Sequence, residues 1–316
     1  MRNFLSVDDV RDPEALVKKA LEYKTQPHKD KHLGAGKTIG MIFLNPSLRT
    51  RVSTQLAARN LGMEVIVFNI DKEGWQLEFA DGVVMNGTSV EHVKEAAAVL
   101  GQYFNILSIR TFPGLKDRNE DYSEHILSQF VKYAGVPVLS LESATLHPLQ
   151  SAADLVTIRE TFTEKRKPKV VMTWAPHVKA LPQAVPNSFA QWMNTWGGAE
   201  FIITHPEGYE LAEKFSGPAK IEYNQDKALE GADFVYVKNW SSYKEYGQLL
   251  NTDPSWMITH KKIAHTNNAK IMHCLPVRRN LVIADEVLDS PSSIVVQQAG
   301  NRVWAAQAVL SEIMSE

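Results

Sequence analysis

Cysteine is almost absent from this chain. The single Cys274 has no partner for an internal disulfide, so the fold must be held by its core, and a reducing, cytoplasmic compartment is expected. An excess of charge of one sign is also missing. The 34 Lys and Arg nearly balance 36 Asp and Glu, which leaves no global field for nucleic acid or a membrane surface but allows a local positive pocket for a small anion. No apolar run approaches bilayer length; Ile39 to Leu44 has the length of a strand. Met1 to Asp12 is polar and charged without an apolar core, so a secretory signal is not expected. No Gly-x-Gly-x-x-Gly follows a strand, which argues against a dinucleotide fold, and no His/Cys/Asp group has metal-ligand spacing. Neither a metal nor a cofactor is therefore expected. His28 and His32 flank a lysine-rich loop that reads as solvated, and there is no internal repeat, heptad array or low-complexity tract.

What is present is strand–helix alternation over 316 residues, 44% of them apolar, enough to build two cores. Thr38–Leu44, Glu64–Phe68, Ile106–Ile109 and Pro137–Leu141 read as buried strands. Between them, Arg49–Leu61, Val90–Tyr103 and Tyr122–Tyr133 carry apolar residues at helical spacing. After His147–Glu160 a second series begins. Lys169–Trp174, Glu200–Thr204, Phe234–Val237 and Lys270–His273 read as strands, and Asn187–Trp196, Pro206–Phe215 and Asn301–Met314 as helices. Such alternation implies parallel sheets with right-handed crossovers. The expected fold is α/β with two domains, each a parallel sheet flanked by helices, spanning 1–147 and 148–300, with the last helix, 301–316, able to pack back on the first.

The first strand runs directly into Asn45-Pro46-Ser47-Leu48-Arg49-Thr50-Arg51. Pro46 cannot continue a central strand, and Ser47 is a good N-cap. A helix start exposes unpaired N–H groups and a positive dipole end, and Ser47, Thr50, Arg49 and Arg51 add donors around it, so phosphate is a candidate ligand. On these residues alone, an N-capped surface helix with two solvated arginines is an equal alternative.

Three segments settle the choice together. Ser47-Leu48-Arg49-Thr50-Arg51, His147-Pro148-Leu149-Gln150 and His273-Cys274-Leu275-Pro276 resemble, in order and spacing, the Ser-x-Arg-Thr-Arg, His-Pro-x-Gln and His-Cys-Leu-Pro motifs of the aspartate/ornithine carbamoyltransferase family. The resemblance covers essentially the whole chain and implies a carbamoyltransferase-like fold with carbamoyl phosphate bound between the domains. It implies that the phosphate meets Ser47, the backbone of Leu48, Arg49 and Thr50, with Arg302 closing from the second domain. It places the carbamoyl oxygen against Thr50, Arg110 and His147, and the carbamoyl nitrogen against Gln150 and the carbonyls near Cys274 and Leu275. The chemistry asks for such groups, because amine attack builds negative charge on the carbonyl oxygen. Arg110, His147 and Cys274 are the catalytic candidates. The leaving phosphate can take the amine proton, so no side-chain base is needed. Without the resemblance, Arg110 would be a surface charge at a strand end, His147 a turn residue and Cys274 a small buried hydrophobe.

The acceptor is read from departures. His-Cys-Leu-Pro is the form of the ornithine branch. Ordinary ornithine enzymes carry Asp-x-Trp-x-Ser-Met-Gly, whose Asp pairs with the α-ammonium. Here the segment reads Lys238-Asn239-Trp240-Ser241-Ser242-Tyr243, and a lysine repels an α-ammonium. It suits an ornithine whose α-nitrogen is acylated. Glu142, His177 and Arg278 match the N-acylornithine members in the same way. The resemblance also implies that Trp75, on the polar stretch 71–81, reaches a neighbouring subunit, giving a homotrimer with shared active sites. In acetyl-using members a glutamate stands where this chain has Val90, and its absence favours a succinyl group with its extra carboxylate. The expected activity is therefore carbamoyl transfer to the δ-amine of N-succinylornithine in arginine biosynthesis. The alternatives are an N-acetylornithine enzyme, an ordinary ornithine enzyme, or a silent carbamoyl phosphate-binding paralogue. The last would have lost Arg49, Arg110, His147 or Arg302, and all four are present.

Overall fold

A computed structural model of the chain describes residues 1–315. It contains two compact units. The first comprises Met1–Gly114, Asn119–Leu149 and Arg302–Glu316, and the second Leu115–Arg118 and Gln150–Asn301. The sequence-based boundary at 147/148 lies just before the break at Leu149.

The first unit holds β1 (Thr38–Phe43), β2 (Glu64–Asn69), β3 (Leu77–Glu78), β4 (Glu91–His92), β5 (Ile106–Arg110) and β6 (Val138–Glu142). Its main sheet is parallel with order β2-β1-β5-β6, and β3 and β4 form a separate parallel pair. β5 and β6 are buried along their whole length, the continuous apolar pattern of a sheet covered on both faces. Ile42, Leu107, Ile109 and Val138 meet Phe104 and Phe130 in its core. The helices Val93–Tyr103 and His125–Tyr133 approach closely because position 101 is glycine, where a Cβ would lie 1.8 Å from the Ala134 carbonyl oxygen. The β5–β6 register shifts at its end, where Ile109 faces Ser140 but Arg110 faces Glu142. This irregularity sets Arg110 opposite a carboxylate.

The second unit holds β7 (Lys169–Trp174), β8 (Glu200–Thr204), β9 (Lys220–Glu222), β10 (Phe234–Lys238) and β11 (Lys270–Met272), again parallel, in the order β11-β10-β7-β8-β9. Val171, Ile202, Val235, Val237 and Ile271 form its core. Both units thus have the parallel-sheet α/β architecture expected from the strand–helix alternation.

Several elements differ from their sequence reading. Pro206–Phe215 is not a helix; only Glu213–Ser216 is helical. Gly208 has φ +86°, and the chain instead buries Tyr209, which packs on Trp174 at 4.9 Å and accepts the Leu250 and Asn251 N–H groups at its hydroxyl. The helix expected from Val90 begins at Val93, because Glu91 and His92 are taken by pairing with Leu77 and Glu78. The helix expected from Tyr122 begins at His125, since Glu124 is left-handed at φ 51°. The last helix starts earlier than expected, at Val295.

Candidate active site

In the first unit, β1 ends in the turn Asn45–Ser47, and a helix runs from Leu48 to Asn60. Ser47 occupies the N-cap position with extended backbone, but its hydroxyl makes no capping bond, so the first-turn N–H groups are not consumed by it. Arg49 Nε is buried without a hydrogen-bond partner among the described residues. Thr50 is buried, and its Oγ1 accepts from the Arg302 guanidinium at 2.6 Å. A hydroxyl that accepts in this way keeps its own O–H to donate. Arg302 was expected to come from the second domain. It instead belongs to the first unit, because it lies well inside the long helix Val295–Met314, past the point where that helix leaves the second unit.

Arg110 is buried and ion-paired with Glu142, the residue set opposite it by the register shift. His147 is 4% exposed, its Nε2 3.6 Å from the Glu142 carboxylate and its Nδ1 buried without a partner among the described residues. Burial, and then the Arg302 and Arg110 guanidinium groups, hold its pKa well below the usual 6.5. The imidazole is therefore neutral near pH 7 and offers one N–H.

The turn leading to His147 is latched by Glu124, a residue that sequence reasoning missed. Its carboxylate accepts from Ser143 Oγ at 2.6 Å, Thr145 N at 2.7 Å and Ala144 N at 3.2 Å, and also from the Thr145 hydroxyl. No local signal marks it, because its partners lie some twenty residues further along the chain. Trp75 is 52% exposed and donates from its indole N–H to Glu91 at 2.9 Å. Val90 is 66% exposed beside the β3–β4 pair, its N–H bonded to Gln76.

In the second unit, Gln150 lies on the helix Pro148–Thr161 and donates to Asp154 at 2.7 Å. Gln298 donates to the same oxygen at 2.7 Å and accepts the His273 N–H at 2.9 Å. Leu275, with φ 55°, precedes a cis bond to Pro276, and its N–H donates to His273 Nδ1 at 2.9 Å. Tyr236 stands nearby; burial pushes its hydroxyl pKa far up, and Asp154 and Cys274 push the same way.

Lys238 ends β10, buried, with no carboxylate in ion-pair range among the described residues. His177 accepts from Arg278 Nε at 3.2 Å, since a guanidinium only donates, and this leaves His177 Nδ1–H for the Lys179 carbonyl at 3.0 Å. Burial first, with Lys238 and Arg278 among the further causes, lowers the His177 pKa. Arg278 and Lys238 thus bring positive charge to the neighbourhood of a neutral His177. Glu142, expected with them, lies in the first unit, where its carboxylate is taken by Arg110. Among the described residues no group of His, Cys, Asp and Glu could hold a metal ion, and no helix is long and apolar enough to cross a membrane.

Residues 2–160 match the model of the aspartate/ornithine carbamoyltransferase carbamoyl-P binding domain, and residues 184–313 that of the Asp/Orn binding domain. The chain belongs to the aspartate/ornithine carbamoyltransferase family. Among its relatives, the N-succinylornithine carbamoyltransferase of Bacteroides thetaiotaomicron is 52% identical, over 99% of each chain. The N-acetylornithine carbamoyltransferase of Xanthomonas campestris pv. campestris is 33% identical, over 100% of this chain and 98% of the relative. Solved family members share the fold. One is acetylornithine transcarbamylase complexed with acetylcitrulline, with TM-score 0.92 and 33% identity over 99% of both chains. Another is a mutant of N-acetyl-L-ornithine transcarbamylase, one glutamate replaced by valine, complexed with carbamyl phosphate and N-succinyl-L-norvaline. It matches with TM-score 0.92 and 33% identity over 99% of this chain and 100% of that one.

Proposed function

We propose that this carbamoyltransferase moves the carbamoyl group of carbamoyl phosphate to the δ-amine of N-succinylornithine, giving N-succinylcitrulline and phosphate in arginine biosynthesis. The observation that carries the choice of acceptor is Lys238, a buried cation with no carboxylate in range among the described residues. An α-ammonium beside it would be repelled, whereas an acylated α-nitrogen is neutral. Arg278, held by the neutral His177, adds positive charge for the carboxylates of the acceptor. Val90 leaves its position uncharged, and the succinyl ligand in the glutamate-to-valine relative supports reading that position as permissive for a second carboxylate. Glu142, engaged by Arg110, acts by holding that guanidinium in place.

In this reading the phosphate sits on the N–H groups after Ser47 and Leu48, with Arg49, Thr50 and Arg302 around it. Arg110, the Thr50 hydroxyl and the neutral His147 donate to the carbonyl oxygen, where charge grows as the amine attacks. Gln150 and the carbonyls of Cys274 and Leu275 accept from the carbamoyl nitrogen. The amine adds to the carbamoyl carbon, the carbon–oxygen bond to phosphate breaks, and phosphate leaves with the amine proton. Trp75, exposed on its loop, covers the carbamoyl phosphate of a neighbouring subunit in a homotrimer of the cytoplasm. The test is direct: carbamoyl phosphate is mixed in turn with succinylornithine, acetylornithine, ornithine and aspartate, and the carbamoylated product is measured. Faster turnover of acetylornithine than of succinylornithine replaces this reading with the acetyl one, and no turnover of any acceptor leaves a binding paralogue.

A further inference from the structure

We propose that Glu124 is a positioning residue for carbamoyl transfer: its carboxylate holds the turn that aims the His147 imidazole. The inference rests on the reading above that His147 donates to the carbamoyl oxygen.

His147 has no hydrogen bond of its own to aim it. Among the described residues Nδ1 is buried without a partner, and Nε2 stands 3.6 Å from the Glu142 carboxylate, too far for such a bond. The direction of the ring therefore comes from packing and from the backbone that carries it. After His147 that backbone enters the helix beginning at Pro148. Before it lies the turn Ser143 to Leu146, where the Ser143 N–H donates to the Leu146 carbonyl at 2.8 Å and the Leu146 N–H to Ser143 Oγ at 3.1 Å. The Ser143 hydroxyl has one proton, and it goes to Glu124 at 2.6 Å.

Glu124 ties this turn down along its length. Oε1 accepts from Ser143 Oγ, from the Thr145 hydroxyl and from Thr145 N at 2.7 Å, and Oε2 accepts from Ala144 N at 3.2 Å. Three consecutive residues thus hang on one carboxylate. The side chain is not spent on its own helix, since Glu124 sits at the N-cap of His125–Tyr133 without a capping bond. Its backbone is left-handed, with φ 51° and ψ 33°, a region that suits glycine and is unfavourable for other residues. What glutamate brings to this position is its carboxylate.

A loosened turn lets the imidazole swing away from the oxygen on which charge grows. Misplacing a reacting group by an ångström costs up to about 100-fold in rate. The groups proposed to grip the phosphate lie elsewhere, on Ser47 to Thr50. The loss should therefore fall on kcat, with KM for carbamoyl phosphate nearly unchanged.

The experiment measures steady-state kinetics of Glu124→Gly, Glu124→Gln and Ser143→Ala, each alone and combined with His147→Ala. Glycine removes the carboxylate and relieves the backbone; kcat should fall about 10-fold or more while KM for carbamoyl phosphate stays within about threefold. Glutamine keeps one accepting oxygen for Ser143 and Thr145 and should restore most of the rate. Ser143→Ala removes one link of the latch, should fall between them, and carries the comparison if Glu124→Gly does not fold. With His147→Ala already present, the same changes should cost less than about twofold, because no imidazole remains to be aimed. An equal loss in both backgrounds marks a purely structural role and overturns the proposal, as does a glutamine variant as slow as the glycine one. Wild-type kcat in His147→Ala overturns the underlying reading and the inference with it. A slow His147→Ala beside a Glu124→Gly of wild-type kcat overturns only the role of Glu124.

Discussion

Replacing Glu142 with glutamine should weaken the fold and at the same time make it depend on phosphate. Arg110 and Glu142 are 9% and 8% exposed at their side chains, so the pair is buried, and the substituted amide would keep the shape and one accepting oxygen but not the charge. For unit charges about 4 Å apart at an effective dielectric near 20, the lost attraction is about 4 kcal/mol. Breaking buried pairs typically costs about 3–5 kcal/mol, which agrees. At roughly 2–4 °C per kcal/mol for a chain of this size class, Tm should fall by about 10 °C. The deficit should be reversible. With the carboxylate gone, Arg110 stands near His147 as uncompensated positive charge, and a phosphate dianion supplies what was lost. Thermal melts in phosphate and in chloride at matched ionic strength would read both effects. Glu142→Gln should gain more from phosphate than the wild type does, recovering at least half of its loss through ligand linkage. A variant melting within about 2 °C of the wild type in chloride would show that the pair is not buried as described. An equal phosphate gain in both proteins would show that the freed charge does not face the anion.

Three further outcomes are expected. His147 is neutral when folded, with a pKa below the 6.5 of the unfolded chain, so its linkage is absent above about pH 6.5 and stability falls as pH drops below it, by about 1.4 kcal/mol per pH unit until the folded-state value is reached. Urea melts at several pH values should show a correspondingly flatter acid limb in His147→Gln, and superimposable limbs would contradict the buried neutral state. Val90→Glu should shift the ratio of kcat/KM from succinylornithine towards acetylornithine by about 10-fold or more, because two carboxylates then share one site; an unchanged ratio removes Val90 from specificity. Inactive Trp75→Ala and inactive Arg302→Ala chains should regain part of the activity when their subunits are exchanged, and silence after demonstrated exchange would rule out shared sites.

The sheets were legible because parallel strands buried on both faces leave continuous apolar runs such as Ile106–Ile109, and such runs cannot be hidden in a sequence. Ser47, Arg49 and Thr50 were legible because a strand, a proline and an N-cap announce a helix start. The failures have a common cause in long-range partners. Pro206–Phe215 carries a helical spacing, but Tyr209 is claimed by Trp174 and by the N–H groups of Leu250 and Asn251. Val90 was read onto a helix because nothing nearby reveals that Glu91 and His92 pair with Leu77 and Glu78. Glu124 takes its role from a turn that only the fold brings to it. Asp154 was missed for the same reason, since Gln298 reaches its oxygen from far along the chain.

The first unit is stitched from both ends of the chain, whereas nearly all of the second is one uninterrupted stretch, Gln150–Asn301. On a ribosome, which delivers residues in order, the second unit has its whole sequence before the first is complete. Thr50 is made early and waits for Arg302, 252 positions further along the chain. A nascent chain that has not reached residue 302 therefore presents the start of the Leu48–Asn60 helix without its arginine, and the synthesis of that one residue doubles as the step that completes the proposed anion site.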